Sequence, residues 1–386
     1  VRRWLAAAVL AVAAPAAGDP LVLRADALSS TAAPAGLLTL SADAAPGPGL
    51  SAEAVVWTGS AGDRGHGDVL VMVLGAHTAD HRASVRLGRF VVALGALRPV
   101  QLDGVAGRVR APLGLDVEAT GGVPVVPGLT SARTWSWLAG ARLARRIGDG
   151  GSLGVAYAQQ RDDGRLAREE LGLDAGAALG PRSDAAARLA YDLASPGVAE
   201  ASLSASHRRG ALRTELYAGY RAASHLVPAT SLFSVLGDAP AERAGLVATW
   251  RAAPRLDVIA DLGARRVDGA VSPAAVVRAR LRLDDAGASA LTAELRRDGD
   301  ADAAWTGARG AARIALPHAL ALAAELELVV PDRDRGLGAV WPWGLAALAW
   351  DDGTWQAAVA VEASASPEDR RRVDLLGQLG RRWGAR

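Results

Sequence analysis

The sequence predicts an all-β fold: one large, closed, antiparallel β-barrel of roughly 22 strands, within a range of about 16–22, that crosses a membrane with its strands. Three observations predict it. Apolar and polar residues alternate along one segment after another, turn-forming clusters separate those segments, and the connections alternate between short and long. Half of the 386 residues are hydrophobic and 22% are charged. Beyond the first residues, however, no run of about 18 lacks a charge, so helices do not carry that apolar content into a membrane.

At the N-terminus, Arg2 and Arg3 precede the apolar run Trp4–Ala14 and the small residues Pro15-Ala16-Ala17-Gly18. A positive start, a short apolar stretch and an Ala-Pro-Ala cleavage site read as a secretory signal peptide. The expected organisation is therefore a leader over residues 1–16 and a barrel over 17–386, with no plug domain between leader and first strand.

Alternation carries the barrel itself. Ala187, Leu189, Tyr191 and Leu193 alternate with Arg188, Ala190 and Asp192, and Val277, Ala279, Leu281 and Leu283 alternate with Arg278, Arg280, Arg282 and Asp284. Leu322, Ala324, Leu326 and Leu328 alternate with Ala321, Ala323, Glu325 and Glu327, and Trp355, Ala357, Val359 and Val361 with Gln356, Ala358, Ala360 and Glu362. Side chains change face at every strand residue, so each run has one apolar and one polar face. Segments of about 9–14 residues are long for soluble strands and suited to a tilted bilayer span.

Turn clusters such as Pro46-Gly47-Pro48, Gly148-Asp149-Gly150-Gly151, Asp162-Asp163-Gly164 and Asp351-Asp352-Gly353 close the hairpins. If the first strand, about Leu21–Thr31, rises from the inner side, the turns after even-numbered strands fall near Pro46, Thr78, Pro112, Asp149, Pro181, Arg209, Pro254, Asp285, Pro317 and Asp352. All are tight. The long connections, Gly59–Gly67, Gly95–Asp103, Gly122–Arg133, Ala223–Pro240 and Pro331–Leu337, fall on the other side. Short turns at one rim and longer loops at the other are the habit of outer-membrane barrels.

The aromatic set is eleven Trp against four Tyr and two Phe. Trp57, Trp135, Trp137, Trp305, Trp341 and Trp343 fall near the outer ends of their strands, and Trp250, Trp350, Trp355 and Trp383 near the inner ends. Two belts of rings at the headgroup levels are expected.

Two stretches then point to a family. Val85-Arg86-Leu87-Gly88-Arg89-Phe90 followed by Leu102-Asp103-Gly104-Val105 resembles the "LGR … DGV" pairing of large porin-like barrels. The last strand, with Val373, Leu375, Leu379 and Trp383 on one face, resembles the C-terminal signal read by the barrel-assembly machinery, although Arg381 interrupts its apolar face and Gly384-Ala385-Arg386 follow. The chain thus resembles a Gram-negative outer-membrane β-barrel of the porin-like kind. Its arginine-only basic residues and abundant alanine suit a GC-rich bacterium.

That resemblance implies an outer-membrane location, contact with outer-membrane lipid, insertion by the assembly machinery and passive passage of small polar solutes. The alternatives are a non-conducting sleeve for a periplasmic or surface protein partner and, at greater distance, an outer-membrane hydrolase. A barrel of this strand number has a backbone diameter of roughly 40–45 Å, and inward alanines and glycines such as Ala321, Ala358 and Gly172 are too small to fill it. The expected lumen wall carries Arg188, Arg278, Arg280, Arg282 and Arg296 against Glu294, Glu325 and Glu327. The three arginines of one strand make either an anion ladder or, as favoured, cross-strand pairs with acids such as Glu294. Apolar residues in the connection Ala223–Pro240, namely Leu226, Leu232, Phe233 and Leu236, are expected to fold into the bore and constrict it.

Composition excludes other chemistry. With no cysteine, the chain has no disulfide, Cys-based metal site or thiol nucleophile. Basic and acidic residues balance at 43 and 41, with no charge block, which argues against a nucleic-acid partner. His77 and His81 have helical zinc spacing but sit at a strand end without the glutamate of that motif. His207 and His225 lie near Ser204, Ser206 and Ser224, yet Ser206 and His207 face opposite ways on a strand. No enzyme activity, cofactor or metal is expected.

Overall fold

A sheet that turns one face to hydrocarbon must close on itself, because an open edge there leaves main-chain amides unpaired. The computed structural model shows that closure, and it describes residues 22–30, 35–61, 64–125, 136–222, 241–267, 269–299, 304–333, 340–365 and 371–383. The leader assigned to residues 1–16 lies outside the described residues.

The strands are β1 (Val22–Ser30), β2 (Ala35–Gly47), β3 (Leu50–Ala61), β4 (Arg64–His77), β5 (Ala83–Val92), β6 (Val100–Ala111) and β7 (Leu115–Pro124). There follow β8 (Trp137–Ile147), β9 (Gly151–Asp162), β10 (Arg165–Ala178), β11 (Ser183–Asp192), β12 (Gly197–Arg209), β13 (Leu212–Arg221), β14 (Ala241–Ala253) and β15 (Leu256–Val267). The circle is completed by β16 (Ala270–Arg282), β17 (Ala290–Asp298), β18 (Trp305–Leu316), β19 (Leu320–Pro331), β20 (Trp341–Asp351), β21 (Trp355–Ser364) and β22 (Arg372–Trp383). Each pairs antiparallel with its neighbour in the chain, and β1 pairs with β22 from Leu23↔Trp383 to Ser30↔Leu376. This is a closed barrel of 22 strands. Among the described residues no helix is long and apolar enough to cross a membrane.

Register assigns the faces. Leu216, Leu246 and Leu262 stand in one row across β13–β15, exposed on the outside, while the adjacent row Tyr217–Gly245–Gly263 points inward. Such Leu rows match a lipid-facing wall rather than a water-facing one.

Even-numbered strands end in connections of two to seven residues at one rim, and the three longest connections, 125–136, 222–240 and 332–340, lie at the other. The two-residue hairpin between β9 and β10 has Asp163 and Gly164 both at positive φ, the geometry whose twist matches a right-handed strand pair. One expected long connection is absent. Gly59–Gly67 is mostly strand, with β3 and β4 paired out to Ala61↔Arg64. Alternation is diluted there by Gly59, Ser60, Gly65 and Gly67, which look like loop residues in the sequence.

Candidate functional site

The bore is narrowed by a link that sequence reasoning counted as a loop but did not choose as the constriction. Residues 93–99, between β5 and β6, carry Leu94, Ala96 and Leu97, all buried, as are Phe90, Val100 and Leu102 at their base. Leu94 reaches Gly140 on β8, and Leu97 reaches Gly172 on β10. Ala156 and Ala158 of β9, Ala190 of β11 and Ala199 of β12 complete the cluster. Five strands separate β5 from β10, about 24 Å along the wall at the usual spacing. A seven-residue link spans that only by leaving the wall and cutting across the bore.

Glycine and alanine make the seat. A Cβ on Gly172 would stand 2.9 Å from Leu97 Cδ2, and one on Gly140 2.6 Å from Leu94 Cδ1. Small inward residues on β8–β12 therefore leave room for the loop's leucines, and apolar burial of two such side chains contributes roughly 3–6 kcal/mol.

Charges lie beneath the loop. Arg98 approaches Glu170 at 3.8 Å, and Glu170 is also bonded by Arg168; both Arg168 and Glu170 are buried. Burial, followed by the nearby Arg168, pushes the Arg98 guanidinium down to about 10, against the pull of Glu170, Asp192 and Glu200, so it stays charged at neutral pH. Nearer the inner rim, Arg142 grips Asp174 through Nε at 3.1 Å and Nη2 at 2.6 Å, and reaches Glu118 at 3.1 Å. Arg108 pairs with Asp116. None of Arg98, Arg142, Arg168 or Glu170 figured among the expected lumen residues. Their signal was parity: Arg168 and Glu170 share a face with Gly172, opposite Leu171 and Leu173.

The expected lumen residues all face inward by register. Arg278 bonds Glu294 at 2.6 Å, and Arg296 pairs with Glu327. Glu325 accepts hydrogen bonds from Arg309 Nε at 2.6 Å and Nη2 at 2.8 Å. Arg282 meets Asp257 at 3.5 Å and the Pro254 carbonyl at 2.9 Å. The three arginines of β16 are thus mostly braced. Among the described residues Arg280 and Arg188 form no such pair, and Arg188 stands opposite Asp174, which Arg142 has taken.

The tryptophans divide differently from the two expected belts. Trp250, Trp350, Trp355 and Trp383 face outward at the inner rim, and Trp137 faces outward at the other. Trp57, Trp305, Trp341 and Trp343 face inward: Trp57 shares its face with Glu53, Trp305 with Arg309, and Trp341 and Trp343 with Leu345. Trp343 donates its indole N–H to Glu362 at 2.8 Å, and the Arg296 guanidinium lies 5.1 Å from the Trp305 ring. Height along a strand placed these rings near a rim, but parity decides the face. On the outside at that rim stand ion pairs instead: Arg89 with Asp103, Glu242 with Arg266, and Arg297 with Asp332. Trp135 and the constriction residues Leu226, Leu232, Phe233 and Leu236 lie outside the described residues.

At the inner rim, Arg381 is held between Trp355 and Trp383, at 4.6 and 4.9 Å. The cation that breaks the apolar face of the last strand is therefore covered by aromatic rings. His77 and His81 stack at 4.2 Å in a turn, and among the described residues no group of three or more ligating side chains could hold a metal. Ser183 and His207 share a hydrogen bond at 2.8 Å, but the adjacent Asp184 faces the other way and is bonded by Ser206 at 2.6 Å.

No protein-family model matches the chain, and no curated protein matches its sequence. Solved structures do resemble it. A mutant of the ferric enterobactin receptor from Pseudomonas aeruginosa, in complex with enterobactin, has a TM-score of 0.63 at 9% identity, covering 95% of this chain and 82% of that one. The translocation pore of the P pilus usher PapC has 0.51 at 10% identity, covering 95% and 99%. The fold is that of an outer-membrane barrel. A BenF-like porin from Pseudomonas fluorescens has 0.45 at 13% identity, covering 95% and 98%.

Proposed function

We propose that the chain is an outer-membrane channel of a Gram-negative bacterium, exported by its N-terminal leader and open to passive diffusion of small polar solutes. The observation that carries this reading is the loop 93–99, which crosses the bore and seats on β8–β12. A barrel wall of Leu rows outside and paired charges inside forms a water-compatible path, and an inward loop sets its width. Balanced Arg–acid pairs along the wall give weak preference for either ion sign.

The test is conductance of the purified full chain in a planar bilayer. Open channels are expected, and Leu94→Ser with Leu97→Ser should raise the unit conductance by unseating the loop. An unchanged conductance in that variant would reject the loop as the constriction. A closed barrel without conductance, isolated with a bound protein, would replace the channel with the sleeve.

A further inference from the structure

The wall next to the loop is incomplete. The β4–β5 ladder runs from His77↔Ser84 to Met72↔Arg89 and stops, although β4 continues to Arg64 and β5 to Val92. On its other side β5 stays paired with β6 as far as Val92↔Val100, and β4 stays paired with β3 as far as Arg64. The upper end of the β5–β6 hairpin has parted from β4 while remaining a hairpin.

Two local features mark where it parts. Leu70 is the extra residue of a β-bulge, between Val55↔Val71 and Val56↔Val69, and such a bulge bends its strand. Gly88 has φ of +126°, and a Cβ there would stand 2.0 Å from the Met72 carbonyl oxygen, so only glycine fits at this bend.

Side chains then close the seam in place of main-chain bonds. Arg89 donates to the Val69 carbonyl at 2.9 Å and to Asp68 at 3.0 Å, while its other nitrogens bind Asp103 at 2.7 and 2.8 Å. Gln101, two strands away on β6, donates to the Leu70 carbonyl at 2.5 Å. These bonds go to the stretch of β4 that β5 would cover if the ladder continued, beginning with Val71 opposite Phe90.

We propose that the upper β5–β6 hairpin is a gate hinged at Gly88 and Leu70, with Arg89 and Gln101 as its latch. The inference rests on the channel reading. In the closed state the tip lies on β8–β12, and the latch serves the vacated edge of β4. In the open state the tip leaves the bore, β5 zips onto β4, and main-chain donors replace Arg89 and Gln101. One set of hydrogen bonds is exchanged for another, so the two states differ mainly by the seating of Leu94, Leu97 and Arg98. With that seating contributing the apolar burial energy given above, the open state is a minor one, populated at about 1% or less and seen as rare openings.

The chain has no cysteine, which makes a tether test clean. Leu94→Cys with Gly140→Cys puts one thiol on each side of the contact in which Leu94 Cδ1 now stands 2.6 Å from the Gly140 Cβ position. Oxidised, this variant should show only the lower of two conductance levels, and a reductant should restore both. Arg89→Met with Gln101→Leu should increase occupancy of the upper level about tenfold, the effect of losing roughly one buried hydrogen bond's worth of latch.

Identical level distributions in oxidised and reduced protein, or in latched and unlatched protein that still migrates as a folded barrel, would overturn the gate. Absence of conductance in every variant would sink the channel reading instead. Spin labels at Ala93→Cys and Arg188→Cys in the unlatched variant then decide the gate independently. Two distance populations support it, and a single narrow one rejects it.

Discussion

The arc from β6 to β12 and the arc from β16 to β19 bear the same kinds of inward residue but use them in opposite ways. On the first arc, Gly140, Gly172 and their alanine neighbours receive a loop, and Glu170 and Arg168 are sealed from water beneath it. On the second, Arg309 and Glu325 stay partly open to the lumen and simply brace adjacent strands. The difference teaches that inward charge alone does not define a working site in such a wall. Under the loop both partners of a pair, Arg168 and Glu170, are dry, whereas on the second arc at least one partner keeps its water, as Arg278 does beside the buried Glu294.

The contrast is sharpest at Glu170. Replacing it with Leu leaves the buried Arg168 without its carboxylate and should destabilise the seat by about 3–5 kcal/mol. Heat-modifiable migration in detergent should shift to lower temperature, with the loop released. A shift no larger than that of a lumen-exposed pair would erase the distinction between the arcs. Gly172→Val comes next. Its added bulk meets Leu97 and should cost about 1–3 kcal/mol of loop seating, visible as higher unit conductance with little loss of barrel stability.

On the open arc, Glu325→Gln should change melting by no more than about 1 kcal/mol, since partly exposed pairs contribute little. A reversal potential measured across a salt gradient should move slightly toward anion preference. The smallest effect concerns a turn at the inner rim, where Ser289 and the amides of Ala288 and Gly287 hold the Asp284 carboxyl below the usual carboxylate range. Its stabilising effect is complete above the ordinary value of about 3.9 and is lost as pH falls through the lower folded-state value. Amide protection in 284–289, taken relative to the intrinsic exchange rate at each pH, should fall in acid, and Asp284→Asn should remove that pH dependence.

Much of the architecture was legible because period-two alternation and turn chemistry are local. Segments such as Val277–Leu283 show both faces at once, and a single miscounted strand would have put the long connections on both rims. The faces of the tryptophans were legible too, but only through parity: Trp341 and Trp343 are out of step with Leu348 and Trp350, and Trp305 is in step with Arg309. The site was harder. Leu94, Gly95, Ala96 and Leu97 make an apolar outer loop just as the connection Ala223–Pro240 does, and nothing local to 93–99 marks it as a segment that folds inward. The seat itself is non-local, since nothing in Gly140 or Gly172 announces which leucine will lie against it. The broken ladder at Met72 depends on where the hairpin tip ends up, and no window of sequence contains both partners.

The two rims of the outer wall differ in a way that bears on how the molecule sits. Around the inner rim the outward residues are rings, Trp250, Trp350, Trp355 and Trp383, with Arg381 clasped between two of them. Around the outer rim, where Trp137 and Tyr220 are the described outward rings, stand bonded opposites, Arg89 with Asp103, Glu242 with Arg266 and Arg297 with Asp332. Indoles settle at a glycerol-level boundary, whereas salted pairs tolerate a crowded layer of charged headgroups and compete poorly for hydrocarbon. A cylinder with one keel of rings and one collar of salt has a single way up, and in the bilayer proposed above it floats at a set depth.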